Sequence, residues 1–195
     1  MWNGGGGMTI CLVPYKNEKN FYRVLADVEK TIDYDRHKIM VVDNNSIPLN
    51  VPGVLYYHHK NRFRLAGATN FAIQHTEDDV FCYLCSNHVR IYADDWADAI
   101  EDYIRDHDYA MAGDLQPFSG RKHVQGGVWA GKTAILKRVP YKQYDFSFMD
   151  VWITDELIKR GYKVGRIPFV KSVMAAMSEA ERMRSKRKYK IIHSH

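Results

Sequence analysis

The chain has 195 residues, 46% hydrophobic and 26% charged, with 28 Lys plus Arg against 23 Asp plus Glu and a formal net charge of +5. That length suits one domain with a sizeable core. No apolar run approaches the roughly 20 residues needed to cross a bilayer, so a soluble protein without a transmembrane segment is expected. Cys11, Cys82 and Cys85 are odd in number and lie inside apolar runs, which suits reduced thiols of a cytoplasmic protein better than a disulfide framework.

Met1 to Gly7 is glycine-rich and reads as a flexible tail. Thr9 to Val13 is a short apolar run stopped by Pro14, the pattern of a buried strand. From Glu18 to Lys30, Phe21, Val24, Leu25 and Val28 recur at i, i+3, i+4 and i+7 and predict a helix with one apolar face. Lys38 to Val42 repeats the strand signal and ends at Asp43-Asn44-Asn45-Ser46, a cluster that favours turns and caps. A third run, Val54 to Tyr57, precedes a helix from Ala68 to His75. A fourth, Val80 to Leu84, leads to Ser86-Asn87-His88.

Asp94 to Arg105 reads as a helix with Trp96, Ala99, Ile100 and Tyr103 on one side. Strand-like, Gly-rich pieces follow at Tyr109 to Gly113 and Val124 to Ala130, then a helix from Asp150 to Arg160 and a strand from Lys163 to Val170. Alternating strands and helices argue an α/β protein with a mainly parallel sheet. Ligands of such sheets sit beyond the carboxyl ends of the strands, where the loops at Pro14, Asp43 and Ser86 fall.

Four segments in order carry a resemblance: Val13 to Glu18, Val41 to Ser46, Asn61 to Asn70, and Met149 to Val164, with Asp150 near its start and Gly161-Tyr162 near its end. Together they resemble the nucleotide-sugar glycosyltransferases of the GT-A fold, family 2 type, over about Thr9 to Val170. The resemblance implies a single GT-A domain over 8–175, a Rossmann-like, mainly parallel central sheet flanked by helices, with a tail at 1–7 and a basic tail at 176–195. It implies an inverting transferase that moves a hexosyl or pentosyl group from a nucleoside-diphosphate sugar, a UDP-sugar by preference, to a hydroxyl acceptor.

Position by position, the resemblance places Pro14 and Asn17 by the nucleotide and gives Asp43, with Asn45 beside it, the uracil or ribose. The family's stacking aromatic falls at Lys16, whereas the tyrosine here stands one place earlier, at Tyr15. Arg62 and Arg64 are candidates to neutralise the diphosphate, since a guanidinium offers paired donors to phosphate oxygens; solvated surface arginines are the plainer reading. Gly67, Asn70 and Ser86 complete the expected donor side. Asp150 is the expected catalytic base, opening a helix as in the family, although Met149 replaces the usual preceding Glu; an ordinary helix N-cap is the alternative.

The family ends its fourth strand with Asp-x-Asp, which helps to hold a divalent cation. Here Ser86-Asn87-His88 stands in its place, with no carboxylate. A neutral imidazole suits Mn²⁺ better than oxygen-preferring Mg²⁺. Three readings stay open: a site for Mn²⁺ or another divalent cation at His88, completed by His193 or His195; metal-independent transfer; or a degenerate site, leaving a nucleotide- or nucleic-acid-binding module. Cys82, Cys85 and His88 are evenly spaced, but positions 82 and 85 of an extended strand face opposite ways, which argues against zinc.

Arg182 to Lys190 carries six positive charges and no acid. Such a run is either a solvated tail or a contact for phosphate, on DNA or on an anionic membrane surface. The acceptor implied is correspondingly either a modified DNA base or a glycan. Without those six charges, 22 basic residues face 23 acidic ones.

Overall fold

Apolar runs too short for helices dominate the first half of the chain; those at 9–13, 38–42 and 80–84 become strands shielded on both faces, while the run at 54–57 becomes a partly exposed edge strand. The computed structural model describes residues 7–14, 18–45, 47–59, 65–85, 89, 94–118, 121–142 and 149–168. Strands β1 (Met8–Leu12), β2 (His37–Asp43), β3 (Leu55–His58) and β4 (Val80–Leu84) alternate with helices α1 (Glu18–Thr31), α2 (Leu65–His75) and α3 (Trp96–Asp106). A hairpin of β5 (Met111–Phe118) and β6 (Arg121–Lys132) follows, then α4 (Thr133–Arg138), α5 (Met149–Lys159) and β7 (Val164–Arg166).

The seven strands form one sheet in the order β3-β2-β1-β4-β6-β5-β7. All neighbours are parallel except where β6 lies antiparallel between β4 and β5. Strand side chains alternate between two cores. Ile10, Leu12, Ile39, Val41, Cys82 and Leu84 meet α1 and α3 on one face. Cys11, Met40, Val42, Phe81 and Tyr83 meet α2, α4 and α5 on the other. The four positions Phe21, Val24, Leu25 and Val28 all turn inward, as their spacing requires.

Three departures from the sequence expectation concern the second half. The two Gly-rich pieces are longer than expected and pair as an antiparallel hairpin, from Leu115 opposite Val124 to Phe118 opposite Arg121. Helix α4, six residues long, is too short to show a helical period. Strand β7 stops at Arg166, two residues before Pro168, rather than running to Val170, and residues beyond 168 lie outside the described set.

Crossing of β6 by β5 demands small residues. A Cβ on Gly131 would lie 2.2 Å from the Ala110 carbonyl oxygen, a backbone atom with no freedom to yield. Gly131→Ala is expected to destabilise the fold by about 1–3 kcal/mol through local strain. Chemical denaturation checks this; a midpoint unchanged from the parent would contradict the tight crossing.

Candidate active site

Parallel pairing brings the strand ends together. Leu12 lies opposite both Val41 and Leu84, so Pro14, Asp43 and Cys85 emerge at one edge of the sheet. Antiparallel β6 meets that edge from the other direction, with the Cys85 N–H donating to the Gly127 carbonyl at 2.8 Å.

Asp43 is 0% exposed. Its Oδ1 accepts from the Asn45 backbone N–H (2.9 Å) and side-chain amide (3.0 Å), while Oδ2 accepts from the Leu49 N–H (2.9 Å) and the Tyr56 hydroxyl (2.5 Å). Burial first, and then the Asp43 carboxylate, push the Tyr56 phenol up, so Tyr56 stays a donor. His58 Nε2 lies 3.1 Å from the Asn45 carbonyl oxygen. The expectation of a carboxylate offered to a ribose or base thus meets one whose two oxygens already hold the 43–49 loop in shape, with Asn45 folded back onto it. Tyr56, missed from sequence, carries no signal beyond being an aromatic in a strand.

The other expected donor residues divide. Pro14 is buried at the end of β1, and Gly67 is buried in the first turn of α2. Asn70 forms a two-point clamp: its amide donates to the Tyr141 carbonyl (2.7 Å), and its side-chain oxygen accepts the Tyr141 N–H (2.8 Å). It therefore fastens α2 to the segment that leads into α5. Tyr15, Lys16, Asn17, Arg62, Arg64, Ser86, His88, His193 and His195 lie outside the described residues, as does the basic run at 182–190.

Asp150 opens α5, with its side chain 23% exposed. The approach of β6 sets its surroundings. From Gly113 to Leu115 on β5, the partner on β6 moves from Trp129 to Val124, so two steps on one strand face five on the other. This bulge pushes Gly126 against α5, where its N–H donates to Asp150 Oδ2 at 3.0 Å. A Cβ at Gly126 would lie 3.5 Å from that same oxygen. The Val124 N–H donates to Thr154 Oγ1 (3.1 Å), whose hydroxyl donates to the Asp150 carbonyl (2.7 Å). The Val151 N–H completes the set on Oδ1 at 2.9 Å.

Burial raises the Asp150 carboxyl above the ordinary range, opposed by the charge of His123 and by the backbone N–H groups of Val151 and Gly126. His123 Nε2 lies 4.0 Å from Asp150 Oδ2. The Tyr141 phenol, pushed well up by burial and then by the Asp150 charge, packs against Trp129 with ring centroids 5.9 Å apart. Trp129 itself is 2% exposed and stacks on Tyr83 at 5.6 Å. It belongs to the core, while Gly126 and Gly127 reach the edge. A carboxylate held by two N–H donors, enclosed and with raised proton affinity, is suited to accept a proton from a hydroxyl.

One described group has metal-ligand geometry. His37, Asp98 and Glu101 place one ligand atom each within 4.8 Å of one another. It lies at the amino end of β2, away from Asp150, and its acids already pair with cations: Arg36 with Asp98 and Glu101, and Arg105 with Glu101 at 2.9 Å. With two carboxylates met by two guanidiniums, this donor set fits an ion-pair network better than a divalent cation.

The Asn70 clamp gives a direct test. Asn70→Ala leaves the Tyr141 N–H and carbonyl without these partners and is expected to cost about 2 kcal/mol. An unfolding midpoint equal to the parent would show that the clamp contributes nothing.

Comparison with known proteins bears on both fold and site. No curated protein matches the chain by sequence. Among solved structures, the mannosyltransferase PcManGT from Pyrobaculum calidifontis, in complex with GDP-Man and Mn²⁺, superposes with a TM-score of 0.73 at 15% identity, covering 98% of this chain and 65% of that one. TarS from S. aureus gives 0.66 at 13% identity, covering 95% and 64%. Glucosyl-3-phosphoglycerate synthase from Mycobacterium tuberculosis, with Mn²⁺, UDP and phosphoglyceric acid, gives 0.73 at 10% identity, covering 94% and 75%. The chain thus spans just under two thirds of the first two structures. At these identities the likeness is one of fold, the mainly parallel sheet flanked by helices of GT-A glycosyltransferases. The model of glycosyl transferase family 2 matches residues 9–145, more than half of the chain, and the protein belongs to that family.

Proposed function

We propose that the chain transfers a sugar, with inversion, from a nucleoside-diphosphate donor to a hydroxyl acceptor, with Asp150 as the base. The observation that carries this is the placing of Asp150: a half-enclosed carboxylate of raised proton affinity at the sheet edge reached by the ends of β1, β2 and β4. In the transfer, the acceptor oxygen attacks the anomeric carbon opposite the leaving group. The carbon–oxygen bond to the diphosphate breaks as the new glycosidic bond forms. The acceptor proton passes to Asp150 and the nucleoside diphosphate departs. A base in this role typically contributes a factor of about 10²–10⁴.

On the donor side, the reading assigns the nucleotide to Pro14, Tyr15, Lys16, Asn17 and the 43–49 loop, and the diphosphate to Arg62, Arg64 and Ser86. Asp43 serves by fixing that loop, since its oxygens are taken. Gly67 and Asn70 support α2 below it. UDP and GDP-Man in the similar structures favour a nucleotide sugar of either kind, and Mn²⁺ in both favours a cation. His88, with His193 or His195, would hold such an ion. When bound, it would neutralise charge developing on the departing diphosphate. The basic run Arg182 to Lys190 would attract a polyanionic acceptor such as DNA, or an anionic membrane.

A second reading has one observation in its favour: no carboxylate stands at 86–88. In that reading the chain binds nucleotides or nucleic acid without turnover. Nucleoside diphosphate released from a panel of UDP- and GDP-sugars separates the two. Turnover is expected, and Asp150→Asn is expected to lower it by about 10²–10⁴-fold. Unchanged turnover in the folded variant would refute the base assignment.

A further inference from the structure

Resting on the assignment of Asp150 as base, we propose that His123 is a positioning residue for the transfer, whose charge, 4.0 Å from the Asp150 carboxylate, favours the ionised form of that acid at the sheet edge. His123 comes from β6, and nothing in the transfer chemistry above uses it. It is only 9% exposed, so the ring is largely out of water beside the carboxylate.

Its position follows from the bulge. Val124 and Gly126, on either side of Gln125, are tied by their backbone N–H groups to Thr154 and Asp150 on the first turns of α5. Those two bonds fix the strand against the helix and bring His123 Nε2 to 4.0 Å from Asp150 Oδ2. On the other side of the strand, His123 pairs in register with Gln116 of β5. The hairpin therefore has little freedom to carry the imidazole away.

Among the described residues, few charges stand around Asp150. From β6 comes His123; from the segment after α4 comes Tyr141, whose buried phenol stays neutral. From α5 itself come N–H donors only, and Asp155 on the same helix lies 3.7 Å from Arg121. Among the described residues, His123 is thus the group whose positive charge meets the carboxylate, against a burial that favours the protonated acid. The sign follows directly. Removing the imidazolium favours the neutral acid further, so ionised Asp150, the form that can take a proton, appears only at higher pH.

The test uses the whole chain and two readouts. His123→Gln is expected to move the acid limb of nucleoside diphosphate release, from the best donor of a UDP-glucose and GDP-mannose panel, to higher pH while the plateau above it is retained. The ¹³C carboxyl titration of Asp150, assigned from the Asp150→Asn spectrum, is expected to move the same way. His123→Lys, which keeps a positive charge at that place, is expected to leave the Asp150 midpoint closer to the parent's than His123→Gln does. A midpoint unmoved in folded His123→Gln, or raised in His123→Lys despite the retained charge, overturns the proposal. Should Asp150→Asn keep full turnover while the carboxyl titration still responds to His123, the pairing stands and the base assignment falls.

Discussion

Two backbone N–H groups of one bulged strand hold the first turns of one helix, and the candidate chemistry hangs on that attachment. Gly126 donates to Asp150 Oδ2, and Val124 donates to Thr154, which in turn donates to the Asp150 carbonyl. An unmade hydrogen bond in such a place is expensive, because a buried donor without an acceptor loses about 1–3 kcal/mol. Helix α5 therefore cannot slide along β6 without exposing that cost. The antiparallel direction of β6 is what delivers those donors to the edge where the parallel strands end.

A second network works the same way on the donor side. Asp43 collects four donors and sets the 43–49 loop, and Asn70 ties α2 to Tyr141. Tyr141 links the two networks, since its backbone meets Asn70 while its phenol feels the Asp150 charge. Asp43 and Asn70, both expected on the donor side, thus have internal partners that hold neighbouring backbone in place. In the proposed function, binding of the nucleotide would fall to backbone groups of these loops and to Arg62 and Arg64.

Much of the sheet was legible because its physics is local. Phe21, Val24, Leu25 and Val28 announce α1 by period alone, and the runs at 9–13, 38–42 and 80–84 lie at buried strands. The β5–β6 hairpin was not, because Gln116, Arg121 and Lys122 extend it beyond the core with no apolar alternation. A helix opening about Asp150 was legible from the residues that follow it. His123 was hidden: its relation to a residue 27 positions later depends on a bulge, and register is fixed by long-range pairing that no local pattern encodes. The saturation of Asp43 by Tyr56 was hidden for the same reason.

The central claim is that the edge formed by the ends of β1, β2 and β4, closed by the bulge of β6 and the start of α5, receives the nucleotide. Amide chemical-shift mapping with UDP and GDP in the presence of Mg²⁺ tests it most directly. Saturable changes are expected at Val13, at 43–45, at Gly126 and Gly127 and at Val151. Changes confined to the opposite edge, around Thr9, His37 and Asp98, or no saturable change with either nucleotide, would contradict it.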